Sequence, residues 1–192
     1  MRHVQQAILV FVVFSLLCGL VYPFLITTVS QFIFPWRSNG SIITSGNQIL
    51  GSELIGQKFN SSKYFHGRPS ATDPAYNASS SGGSNSGPSN AKFIGEVKER
   101  IEEVRNENVL PSNVPIPADL VLASASGLDP HVSVESAMLQ VKRIARERGV
   151  SESEVKEMVN QSIAHRLLGI WGQPRVNVFK LNLAMDKLKR KK

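Results

Sequence analysis

Apolar and polar positions divide the chain into stretches of different period. Residues 7–29, AILVFVVFSLLCGLVYPFLITTV, run for 23 positions without a charge. A helix of that length crosses a hydrocarbon layer of about 30 Å. A secretory signal has a shorter apolar core ending in a small-residue cleavage site. This run has no A-x-A pattern and stays apolar to Phe32, so it reads as an uncleaved anchor. Pro23 lacks an amide hydrogen and is expected to kink the helix. Phe32, Phe34 and Trp36 follow, as amphipathic and aromatic rings do at a membrane interface.

Beyond the anchor the period changes twice. Ile42–Ile43, Ile49–Leu50 and Leu54–Ile55, separated by Gly46 and Gly51, predict short strands and turns. From Lys92, the apolar positions Phe93, Ile94, Val97, Ile101 and Val104 recur at helical spacing, with Asn90 or Ser89 as N-cap and a Glu96–Arg100 pair on the other face. Val114-Pro115-Ile116-Pro117 predicts extended backbone. Val134, Ala137, Met138, Val141, Ile144 and Ala145 mark a second helix, stopped by Gly149 in a left-handed cap. Ser151 and Glu154 open a third with a capping box, and its apolar face runs through Leu167 to Gly169. The closing VNVFKLNL, 176–183, alternates and predicts a strand. The soluble part, 38–186, is therefore expected to be a single α/β or α+β domain behind one transmembrane helix at 7–29. Residues 1–6 precede the helix and a basic tail, 187–192, follows the domain.

Composition narrows the function classes. The formal net charge is +7, but residues 151–192 alone carry nine basic and four acidic groups, and five of the nine lie in the tail. A nucleic-acid face needs a basic stripe interleaved with stacking aromatics, which is absent. The only cysteine, Cys18, lies in the anchor, so the soluble part has neither disulfide nor thiolate chemistry.

Candidate chemistry gathers in two stretches. YFHGRPSATDP (64–74) brings together Tyr64, Phe65, His66, Arg68 and Asp73; ASASGLDPH (123–131) holds Ser124, Ser126, Asp129 and His131. A membrane-anchored hydrolase is one reading, but neither serine has the G-x-S-x-G elbow that exposes a nucleophile. The four histidines show no metal-ligand spacing, so no metal is expected. The run SSSGGSNSGPSN (79–90) lacks the G-K-[ST] that closes a phosphate-binding loop. By composition it is a flexible linker; joining strands to a helix within one domain, it is equally placed to be an ordered binding surface. A ligand-binding sensor module is the other alternative.

Several blocks carry a resemblance. GSELIGQKF (51–59), YFHGRPSA (64–71), SGGSNSGPSN (81–90), DLVLASASGLDPH (119–131) and RVNVFKLNLAMDKL (175–188), with GLVYP (19–23) and FPWRSNGS (34–41) around the anchor, resemble the C subunit of the bacterial Kdp potassium-transporting ATPase, the KdpC family. The departures are small: NLAMD where NLALD is expected, and a longer basic tail. The resemblance implies a single-span, non-catalytic accessory subunit of the cytoplasmic (inner) membrane, with residues 1–6 in the cytoplasm and the domain outside. It implies a channel-like A subunit, a P-type ATPase B subunit and a small F peptide as partners, beside the lipid bilayer. The complex, not this chain, uses ATP and potassium; the chain lacks the D-K-T-G phosphorylation motif, and no cofactor of its own is expected. Two roles compete within the family. In one, a catalytic chaperone raises the ATP affinity of the B subunit through an SGGQ-type motif; here SSGGS (80–84) has serine where glutamine is needed, leaving Gln140 as a weak nucleotide candidate. In the other, the domain braces the complex. Partner-facing or structural residues implied by the family blocks are Tyr64, Phe65, His66, Gly67, Arg68, Pro69, Ser70, Gly82, Gly83, Ser84, Asn85, Ser124, Ser126, Gly127 and Asp129.

Overall fold

The charge-free run is helical from end to end. In the computed structural model, which describes residues 1–188, helix α1 (Arg2–Leu16) passes through a π-helical turn at Leu17–Val21 into α2 (Tyr22–Ile33). The wide turn lies just before Pro23, where a missing amide donor disturbs the regular ladder. No residue of this helix is buried, and its 32 residues are long and apolar enough to cross a membrane. A short helix, α3 (Pro35–Ser38), leads into an antiparallel hairpin of β1 (Ile42–Ser45) and β2 (Gln48–Ser52), bulged between Ile43 and Thr44. These elements make up one unit, Met1–Ser52; the rest of the chain, from Glu53, is a second. Leu54–Ile55, expected as a strand, form a turn.

The second unit combines α4 (Ala91–Asn108), β3 (His131–Ser133), α5 (Val134–Arg148), α6 (Glu152–Gln161), β4 (Ile163–Ala164), β5 (Arg175–Asn177) and α7 (Val178–Leu188). The sheet is antiparallel in the order β3-β5-β4, with Val132 opposite Val176 and Ile163 on the other side of Val176. Its core joins Val132 and Val176 to Ala137, Val141, Ile144 and Ala145 of α5, Val155 and Val159 of α6, and Val178, Leu181 and Met185 of α7, closed by Phe65. Fully burying a phenylalanine such as Phe65 contributes about 2–3 kcal/mol.

Helix starts follow the expected chemistry. Asn90 Oδ1 accepts from the Phe93 amide, Ser133 Oγ from that of Ser136, and Ser151 with Glu154 completes the capping box. Gly149 ends α5 at φ +66°. Two expectations need correction. The third helix stops at Gln161 rather than Gly169, and Leu167 belongs to the turn between β4 and β5. VNVFKLNL is a strand only at Val176 and Asn177, the end of β5, and a helix thereafter. Its apolar positions suit both periods. Asn177 decides, because its Oδ1 accepts from the Lys180 amide at 3.0 Å and starts a helix. Of the basic tail, Lys187 lies in the last turn of α7; residues 189–192 lie outside the described residues.

Candidate functional site

Residues 59–77 form an irregular strap across the second unit. Irregular backbone brought into a fold must still find hydrogen-bond partners, and here side chains from α5 and α7 supply them. Phe65 N–H donates to Asn182 Oδ1 at 2.9 Å, and its carbonyl accepts from Asn182 Nδ2 at 2.9 Å. The next residue is held the same way from the other helix: His66 N–H donates to Gln140 Oε1 at 2.8 Å and its carbonyl accepts from Gln140 Nε2 at 3.1 Å.

Arg143, only 1% exposed, is the hub beneath. Its guanidinium donates to the carbonyls of Ser62 and of Tyr64 (3.0 Å), to Asn108 Oδ1 (3.0 Å) and to Gln140 Oε1 (2.7 Å). Glu107 lies 3.6 Å away, and its other oxygen is 3.3 Å from His66 Nδ1. Burial pushes the Glu107 carboxyl up, but the hydrogen bond from His66 and the charge of Arg143 outweigh it and hold Glu107 below the ordinary carboxylate range. Burial draws Arg143 down, against Glu107 and Glu147. One turn on, Arg148 donates to Lys63 O (2.6 Å), Met185 O (3.0 Å) and Asp186 Oδ1 (3.0 Å) and stacks over the Tyr64 ring at 4.9 Å.

The second half of the strap is fixed to the 122–129 turn. Arg68 donates to the carbonyls of Leu122 and Ala123 and to Asp129 Oδ2 at 3.3 Å. Ser70 Oγ donates to Gly127 O at 2.7 Å. Asp129 also accepts from the His131 amide at 2.9 Å and faces its Nδ1 at 3.3 Å. Burial raises the Asp129 carboxyl, yet the bonds from His131 and the charge of Arg68 leave it below the ordinary range. Tyr76, at φ +62°, donates from its hydroxyl to Arg68 O at 2.5 Å. Burial and the nearby Asp129 raise its phenol.

The serine-glycine run is docked at one end. Gly82 N–H donates to Ser126 O at 3.0 Å, and Ser81 Oγ to the same carbonyl at 2.9 Å. Gly83 passes Ala125 so closely that a Cβ would lie 3.2 Å from its carbonyl. At Gly127, φ +67°, a Cβ would lie 2.7 Å from Gly82 O and 2.8 Å from Thr72 Cγ2. Ser84 and Asn85 are exposed. Beside the strap, Lys58, His66, Arg68, Ser70, Tyr76 and Arg100 line an open cleft of about 510 Å³.

The expected residues thus fall into groups. His66 and Gln140 meet directly; Arg68, Ser70, Ser124, Ser126, Gly127, Asp129, Gly82 and Gly83 share a second cluster; Ser84 and Asn85 stand apart. Ser124 Oγ and Ser126 Oγ lie 3.3 Å from each other. Among the described residues neither hydroxyl is hydrogen-bonded to a histidine ring. Tyr76, Glu107, Arg143, Arg148 and Asn182 were not singled out from sequence. One available signal was the polar stripe Ser136, Gln140, Arg143 at helical spacing within α5, all three buried.

A profile for "K+-transporting ATPase, c chain" matches residues 4–187. The chain belongs to the KdpC family. It is 47% identical over 190 residues to a "Potassium-transporting ATPase KdpC subunit" of Methylococcus capsulatus, covering 98% of this chain and 99% of that one. Identity is 48% over 193 residues to the protein of that name from Geotalea uraniireducens (99% and 100% covered) and 47% over 192 residues to that of Caldanaerobacter subterraneus (100% and 98%). The blocks that resembled KdpC in sequence include the strap, the docked glycines, the 122–129 turn and α7.

Proposed function

We propose that this chain is a non-catalytic accessory subunit of an ATP-driven potassium uptake complex, anchored by its N-terminal helix and bracing the assembly with its soluble domain. The observation that carries the reading is the use the fold makes of the candidate side chains. Gln140 engages both ends of its amide within the fold, accepting from His66 and Arg143 and donating to His66 and Ser136. That leaves little of the amide for a nucleotide, and supports the bracing role over that of a chaperone raising ATP affinity. Asp129 and Arg68 hold each other and the 122–129 turn, and among the described residues no serine–histidine pair is bonded as a nucleophile and base would be. The chain so read uses no cofactor; ATP and potassium belong to the complex.

The partners in this reading are a channel-like A subunit, a P-type ATPase B subunit and a small F peptide, in the bacterial inner membrane with the domain outside. Pull-down of the tagged full chain from its own membranes in mild detergent tests it: proteins of pump and channel size should co-purify with potassium-stimulated ATPase activity. A chain that purifies alone, or hydrolyses esters by itself and loses this with Ser126→Ala, overturns it. A reporter fused after Lys192 should be active only on the external face.

A further inference from the structure

Between β4 and β5 the chain makes a turn whose large side chains stay mostly in the open. Its backbone is closed on itself: Leu167 N–H donates to Trp171 O at 2.8 Å and Trp171 N–H to Leu167 O at 3.0 Å, with Gly169 and Ile170 donating to Arg166 and Leu167. The geometry is therefore defined, yet Leu167, Leu168, Ile170 and Trp171 are 69%, 77%, 70% and 62% exposed. Leu168 also stands at φ +52°, a region that glycine or asparagine enters with less strain. Four large apolar side chains gathered on one turn, each more than 60% exposed, mark a contact surface rather than scattered surface residues.

The charges around the turn indicate what covers it. Residues 158–185 contain no aspartate or glutamate but include His165, Arg166 and Arg175; Lys180, also there, is paired with Glu53 at 3.1 Å. Apolar side chains and a tryptophan at the tip with cations behind them match the depth profile of an anionic bilayer, acyl chains beneath phosphates. Four tip residues are few against the roughly 800 Å² per partner of a stable protein interface, whereas lipid sets no minimum area. A chain already held at a membrane needs little intrinsic affinity in a second contact, because tethering raises its effective concentration there. This part of the argument rests on the reading of the N-terminal helix as a membrane anchor.

We propose that the 165–172 turn is a lipid contact: Leu167, Leu168, Ile170 and Trp171 enter the boundary between headgroups and acyl chains, and Arg166 pairs with lipid phosphate. Trp36 and Trp171 are the two tryptophans, so full-length Trp36→Phe makes Trp171 a single reporter. The variant is reconstituted into vesicles of phosphatidylcholine and phosphatidylglycerol with acyl chains brominated near the headgroup. Insertion by about 5–10 Å should remove roughly half of the Trp171 emission. Leu168→Asp with Ile170→Asp, in the same background, should restore it. Resistance to carbonate extraction on the same vesicles reports the anchor separately, so that failure of the anchor reading is not taken for failure of the turn. Emission quenched by aqueous acrylamide and untouched by brominated lipid overturns the proposal. So does shielding from both that appears only when the other subunits of the complex are reconstituted too, which assigns the turn to a protein partner.

Discussion

Asn182 and Phe65 are joined twice, amide to carbonyl and carbonyl to amide, across 117 residues of sequence. The last helix thus treats the strap as a neighbouring strand would, with one side chain replacing two ladder bonds. Asn182→Leu keeps the volume but leaves a buried N–H and a buried C=O unpaired. At about 1–3 kcal/mol per group, the loss should be about 2–5 kcal/mol, read as a lower urea midpoint of the full chain in detergent. An unchanged midpoint would show that the strap is held by its apolar contacts alone.

Gly127 tests whether the serine-glycine run is a surface or a tether. A Cβ there would press on Gly82 O and Thr72 in a conformation already unfavourable to side chains. Gly127→Ala should release residues 81–83, so that hydrogen exchange at the Gly82 amide rises by about tenfold or more if opening becomes about 1.4 kcal/mol easier. Gly87→Ala, where a Cβ meets nothing within 4 Å, should leave that amide as protected as before.

The sequence made the helices legible because their punctuation is local: Asn90, Ser151 with Glu154, and Gly149 each act within one turn of their own position. It misled at 178–183, where apolar spacing fits two periods and only the Asn177 cap separates them. The candidate site was half visible. His66, Arg68 and Asp129 stand out as ionisable groups in turn-rich stretches. Asn182 and Tyr76 do not, since their partners lie 117 and 8 residues away and no local rule pairs them; Arg143 has one local partner, Gln140, but the strap carbonyls it holds lie 79–81 residues away.

Acid should loosen the strap. Glu107 and Asp129 both have folded pKa values below their unfolded ones, about 4.3 and 3.9. A depressed carboxyl contributes stability that is fully present above its unfolded value and is lost as pH falls through the folded one. The urea midpoint should therefore drop as pH is lowered from about 5 towards 3. Glu107→Gln and Asp129→Asn should each flatten that dependence. Slopes equal to that of the parent would assign the acid sensitivity to other carboxylates.

Two helix ends predict opposite signs. Val109 closes α4 at φ +53° and is 62% exposed, a β-branched residue where glycine fits best. Val109→Gly should raise the thermal midpoint, relieving about 1 kcal/mol of strain. Gly149 closes α5 at φ +66°, and Gly149→Ala should lower stability by about 1 kcal/mol. Calorimetry on the two variants side by side checks both; shifts of the same sign would contradict the cap argument.

The strap's fastenings also dictate an order of events during synthesis. Tyr64 bonds to Asp186, Phe65 to Asn182 and Lys63 to Arg148, all on helices made after it. A growing chain can insert its anchor and form α4 and α5 while Tyr64 and Phe65 still lack Asp186 and Asn182. The early strap is completed only when the final helix, residues 178–188, has emerged and folded back. Ribosomes stalled before that point hold the domain open, and a nascent chain shortened by its last helix should stay protease-sensitive near residue 65.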